Sequence, residues 1–93
     1  MDVKEYIYYD YEIQDVVRDN DKLTLHCCYM RSERVKLIFS RVTDIENEYL
    51  LHQHTIELFK PGSKDGKKCY EITLRGLFES VTIYALTAER VQG

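Results

Sequence analysis

Ninety-three residues suffice for one hydrophobic core of ordinary domain size and leave no room for a second. Hydrophobic residues at 44% and charged residues at 31% exclude a disordered chain, and no apolar run approaches the roughly 20 residues of a membrane-spanning helix. A formal net charge of −3 and a pI near 5.6 exclude a general nucleic-acid binder, which needs surplus positive charge on its contact face.

Met1-Asp2-Val3-Lys4-Glu5 is charged where a signal peptide carries its apolar stretch, so a cytoplasmic protein is predicted. The next residues, Glu5 to Glu12, are the most unusual of the chain. They gather four of its eight tyrosines, Tyr6, Tyr8, Tyr9 and Tyr11, among the acids Glu5, Asp10 and Glu12. Tyrosine offers a large contact area with a polar tip, and surrounding acids select a basic partner. Tyr6, Tyr8, Tyr9, Asp10, Tyr11 and Glu12 are therefore the candidate partner-binding residues. The competing expectation is that alternate tyrosines, such as Tyr9 and Tyr11, cover an end or edge of the sheet. The charge deficit is local too. Residues 1 to 47 carry ten acids against seven bases, and residues 48 to 93 carry six of each.

Strands are read from apolar residues alternating with polar ones, because successive side chains on an extended chain face opposite sides. Tyr11 to Arg18 is the first strand, resting on Ile13 and the Val16-Val17 pair, and Asp19-Asn20-Asp21 supplies its turn. Leu23 to Met30 follows, with Leu23, Leu25, Cys27 and Tyr29 on one face. Val35, Leu37 and Phe39 repeat the pattern, and Arg31-Ser32-Glu33-Arg34 joins the two as a hairpin loop. Residues 43 to 54 open two readings. Thr43-Asp44-Ile45-Glu46 resembles a helix capping box, but one apolar helical pair, Ile45 and Tyr49, favours an irregular strand or turn over a short helix.

Thr55 to Lys60 is the next strand, and the proline and glycines of 61 to 68 mark a loop. Tyr70-Glu71-Ile72-Thr73-Leu74-Arg75 alternates most clearly, with Tyr70, Ile72 and Leu74 inward. Ser80 to Ala88 closes the series as one strand through Val81, Ile83 and Ala85. The predicted fold is mainly β, an antiparallel meander forming a small curled sheet, sandwich or partial barrel, with room for one short helix. Lys36 and Arg75 are expected to protect its edges, and a homodimer made by pairing or stacking sheets is equally compatible.

Cys27, Cys28 and Cys69 cannot all pair, and adjacent strand residues face apart, so they read as free thiols in a reducing compartment. Cys69 is expected to be the most exposed, beside Lys68, whose charge would lower a thiol pKa. No motif around it marks a nucleophile, and no catalytic residue is assigned. His52 and His54 share one face if extended, and His26 with Cys28 could complete a transition-metal site if the segments met. Exposed histidines on a connection are the favoured reading, with no cofactor expected. Gly62 to Lys68 fails as a phosphate-binding loop: its glycines are too close, Lys68 replaces the hydroxyl, and a strand follows. Lys60, Lys64, Lys67 and Lys68 beside Phe59 and Tyr70 could grip a phosphate backbone while an aromatic stacks a base, although a solubilising loop is the commoner use of such lysines.

The segment order resembles a loose group of small bacterial β-domains that includes immunity proteins of toxin systems and uncharacterised relatives. The resemblance rests on Tyr11-Glu12-Ile13, Leu23-Thr24-Leu25, Leu37 to Asp44, Tyr70 to Leu74 and Val81 to Ala85. Those families often open the first strand with a histidine-aspartate pair, where this chain has Asp10-Tyr11. The resemblance implies a stoichiometric protein-binding module, an inhibitor of a basic toxin acting through the acidic, tyrosine-rich segment, and not an enzyme. The rival readings are a metal-dependent binder or enzyme using His26, His52, His54 and a cysteine, and a structural homodimer.

Overall fold

The computed structural model describes residues 11–52 and 55–92, which form eight strands and one 3-10 turn. The strands are β1 (Tyr11–Asp19), β2 (Lys22–Tyr29), β3 (Glu33–Ser40), β4 (Asp44–Glu46), β5 (Thr55–Lys64), β6 (Lys67–Leu74), β7 (Ser80–Tyr84) and β8 (Thr87–Gln92). The 3-10 turn, Glu48–Leu51, follows β4. All belong to one antiparallel sheet ordered β4-β7-β6-β5-β1-β2-β3-β8. The predicted mainly β architecture is what the chain adopts.

Two meanders make up the sheet, β1-β2-β3 and β5-β6-β7. They meet where β1 and β5 pair through Tyr11↔Ile56 and Glu12↔Thr55. β7 and β8 are consecutive in sequence but stand six places apart in the strand order. In a flat sheet they would lie about 29 Å apart at ~4.8 Å per strand. Three Cα steps from Tyr84 to Thr87 span at most about 11 Å. The sheet therefore curls. Its rolled form is held by two hydrogen bonds beside the link: Leu86 N–H donates to Ser40 O at 3.0 Å, and Thr43 N–H donates to Tyr84 O at 2.9 Å. It stays open, because β4 and β8, at the two ends of the order, do not pair.

Curling turns one face of every strand inward. Leu23, Leu25, Cys27, Val35, Leu37 and Phe39 from the first meander meet Ile56, Phe59, Tyr70, Ile72 and Leu74 from the second. Phe39, Phe59 and Tyr70 stand at the centre, with ring centroids 5.6 to 6.0 Å apart. Offset and edge-on rings at such distances attract beyond their area burial, by about 0.5–1.5 kcal/mol per pair. Leu51 is fully buried and anchors the 3-10 turn to this core.

Two bulges explain spacings that simple alternation does not. The β1–β2 register shifts between Ile13 and Asp15, so Ile13 and Val16, three residues apart, both face the core. The β5–β6 register shifts between Ile56 and Leu58, which brings Ile56 and Phe59 inward in the same way.

Several expectations are refined. The expected loop at 61 to 68 is almost entirely zipped, with Pro61 to Lys64 pairing onto Lys67 to Tyr70 around an Asp65-Gly66 turn. Both turn residues have positive φ, 53° and 76°, the geometry whose twist matches a two-residue hairpin. Ser80 to Ala88 is not one strand but two, broken at Ala85-Leu86. Residues 43 to 52 provide both readings in short form, a three-residue strand and a single 3-10 turn. Lys36 does not protect an edge, because β8 covers β3, and Arg75 follows the interior strand β6. The edges are instead limited by the shortness of β4 and by the charged Glu89 and Arg90 on β8.

Candidate functional site

Tyr6, Tyr8, Tyr9 and Asp10 lie outside the described residues, so the structure places two members of the predicted surface, Tyr11 and Glu12. The pleat sends them to opposite faces. Tyr11 is half-buried, packs against the core and stacks on Tyr29, its partner across β1 and β2, with centroids 5.0 Å apart and planes at 21°. Tyr11 thus covers part of the inner face of the sheet, as the competing expectation has it. Glu12 is exposed on the outer face.

There Glu12 forms one wall of a cleft of about 220 Å³. Gln14 and Thr55 line it from the neighbouring backbone, with Met30 and Arg31 at the β2–β3 turn and Arg75 after β6. Cys28 sits beneath, directly between Glu12 on β1 and Arg34 on β3 in the sheet register. Met30 and Arg31 both adopt left-handed backbone, φ 49° and 63°, which costs a non-glycine residue about 1–2 kcal/mol each. That turn leaves Met30 68% exposed at the mouth of the cleft. The combination is a polar cleft with an exposed apolar side chain at its rim.

The cysteines are free and all buried. Cys27 faces the core, where desolvation, followed by the neighbouring Cys28, pushes its thiol up from 9.0 to about 12. Such a thiol is inert as a nucleophile. Cys69 is not the exposed thiol expected from its place beside Lys68. It is 3% exposed, because β6 continues through it and it lies between Gly62 of β5 and Tyr84 of β7.

His26 is half-buried on β2 between Asp15 and Lys36 of the flanking strands, His52 is exposed after the 3-10 turn, and His54 lies outside the described residues. Among the described residues no group of three or more His, Cys, Asp or Glu side chains is arranged to hold a metal ion. The lysine-rich hairpin has no stacking platform in Phe59 and Tyr70, since both rings are in the core. Lys64 instead approaches Glu71 at 3.7 Å, and Lys68 Nζ stands 6.0 Å from the Tyr70 ring centroid. Among the described residues no helix is long and apolar enough to cross a membrane.

A second cleft, unforeseen in the sequence, lies where β7 hands over to β8. Arg41, Lys67 and Lys68 surround Tyr84, Ala85 and Leu86 there. These residues come from three separate stretches of chain, and only the curl brings them together. Tyr84 and Lys67 also border an adjoining cleft with Asp44, Glu46, Lys64 and Asp65. The Tyr84 hydroxyl donates to Glu46 Oε1 at 2.7 Å, and that bond, more than its burial, pushes the phenol up from 10.0 to about 12.

No protein-family model, curated protein or solved structure matches this chain.

Proposed function

We propose that this chain is a protein-binding module whose acidic, tyrosine-rich segment, residues 5 to 12, engages a basic partner protein in the cytoplasm. The observation that carries the reading is the placement of Glu12. Glu12, the last residue of that segment, is exposed and forms a wall of the cleft bordered by exposed Met30 and by Arg31. A partner entering there meets the Glu12 carboxylate, a flexible thioether, and hydrogen-bonding side chains that include Arg31 and Arg75, the mixture that protein interfaces favour at their core and rim. Three unpaired thiols suit a reducing compartment. The likeness of segment order to bacterial immunity proteins supports inhibition of a toxin as the biological role, by analogy of fold alone.

Purification of the tagged chain from the cells that produce it tests the reading. The expected result is a basic protein in stoichiometric amount. Its affinity should fall at least about tenfold for a Tyr8→Ala/Tyr9→Ala/Asp10→Ala variant, as loss of interface anchors implies. Unchanged affinity in that variant would remove the segment from the interface.

A further inference from the structure

Among the described residues, the cleft at the β7–β8 link has neither Tyr11 nor Glu12 in its lining. Arg41, Lys67 and Lys68 are all exposed and no acid lines this cleft, although Lys67 also borders the adjoining cleft that holds Asp44, Glu46 and Asp65. Among the described residues Arg41, Lys67 and Lys68 form no ion pair, and Lys68 Nζ stands 6.0 Å from the Tyr70 ring centroid. Between these cations lie Ala85, Tyr84 and Leu86, a residue 52% exposed. In a chain of net charge −3, three cations without an ion pair among the described residues, two of them away from the adjoining acids, surround an exposed leucine and reverse the sign locally. An anionic group beside an apolar one fits both features at once.

We propose that this cleft binds an acidic peptide segment of a partner protein, with carboxylates on Arg41, Lys67 and Lys68 and an apolar side chain against Leu86. A nucleic acid fits less well. Its phosphate backbone would run from the cleft over Asp44, Glu46 and Asp65 next door, and Phe59 and Tyr70 are unavailable for stacking. A lipid chain fits less well too, because it needs an enclosed apolar pocket, and here the leucine projects from the surface. Arg41 and Lys68 do not line that acidic cleft, so a short peptide making local contacts can engage them without crossing it.

Titration of the isotope-labelled protein with a short synthetic peptide, glutamates flanking two leucines, provides the test by amide chemical shifts. Saturable shifts are expected at Arg41, Thr43, Lys68 and Leu86, weakening as salt is raised. Lys67→Glu/Lys68→Glu should weaken binding about tenfold, because two attractions become repulsions. Leu86→Ser, or the same peptide with serines for leucines, should weaken it about threefold. The charge-matched control Lys22→Glu/Lys60→Glu, at exposed sites outside the cleft, should change it less than about twofold. All the substituted residues are exposed, so thermal melts should match wild type within a few degrees. Absence of saturable binding, an equal effect of the control, or tighter binding of a single-stranded oligonucleotide or of decanoate would each overturn the assignment.

Discussion

Tyr84 on β7 and Glu46 on β4 form a diagonal cross-strand pair: the register sets Asp44 opposite Tyr84 and Glu46 opposite Thr82, and the phenol reaches across two residues to donate at 2.7 Å. Such a pair ties the shortest strand of the sheet to its neighbour through side chains as well as backbone.

This hydrogen bond holds the phenol protonated, so its ionisation opposes the native state. Because the folded pKa, about 12, lies above the ordinary 10.0, the stabilisation is complete below pH 10 and is lost as pH rises toward 12. Ultraviolet titration should show one tyrosine ionising late. Glu46→Ala should bring it down toward 10, and Tyr84→Phe should delete it. A late tyrosine that persists in Tyr84→Phe would refute the assignment.

The three-ring centre is expected to dominate stability. Phe59→Ala and Phe39→Ala each leave a void against two aromatic neighbours, and each should cost about 3–5 kcal/mol in urea denaturation. A loss below about 1 kcal/mol would mean that these rings do not meet.

Two glycines of one hairpin should respond with opposite sign. Gly66 has φ +76° and Gly62 has no left-handed φ, and a Cβ at either meets nothing within 4 Å. Gly66→Ala should destabilise by about 1 kcal/mol through backbone strain alone. Gly62→Ala should be neutral or stabilising by up to about 1 kcal/mol, through lost freedom of the unfolded chain. Equal effects in thermal melts would argue against the Asp65-Gly66 turn.

All three thiols should resist modification in the native protein. A thiol-specific chromogenic disulfide reagent at pH 8 should react slowly, at a rate set by opening of the fold, and should titrate three groups at once in denaturant. Rapid native reaction of one thiol, removed by Cys69→Ser, would show that β6 does not shield it.

Much of this architecture is legible in the sequence where one face of a strand is buried without interruption. Leu23, Leu25 and Cys27, then Val35, Leu37 and Phe39, then Tyr70, Ile72 and Leu74, all face inward as alternation requires. Legibility fails where a bulge adds a residue, since Ile13 to Val16 and Ile56 to Phe59 then step by three. It fails again at Asp65-Gly66. The turn dipeptide is present, but the paired residues around it are charged or small, so alternation does not announce the strands. The break at Ala85-Leu86 has no local signal, because the pattern of Val81, Ile83, Ala85 runs straight through it.

The candidate residues follow the same division. Tyr11 and Glu12 were adjacent candidates, and the pleat assigns one to covering the sheet and the other to the outer surface. Arg41, Lys67 and Leu86 carry no shared motif. Their juxtaposition depends on which strands are neighbours, and strand order is a long-range property that periodicity does not encode.

The two-residue passage from β7 to β8 works as a clasp on a split hoop. Its shortness and the two hydrogen bonds beside it, in place of a closing ladder, limit how far the ribbon can unwind. Splicing a few glycines between Ala85 and Leu86 would leave both meanders hydrogen-bonded yet slacken the winding. X-ray scattering should then report a radius of gyration larger than that of the intact chain, whose Cα atoms give 12.0 Å. An unchanged radius would mean that interior packing alone holds the ribbon rolled.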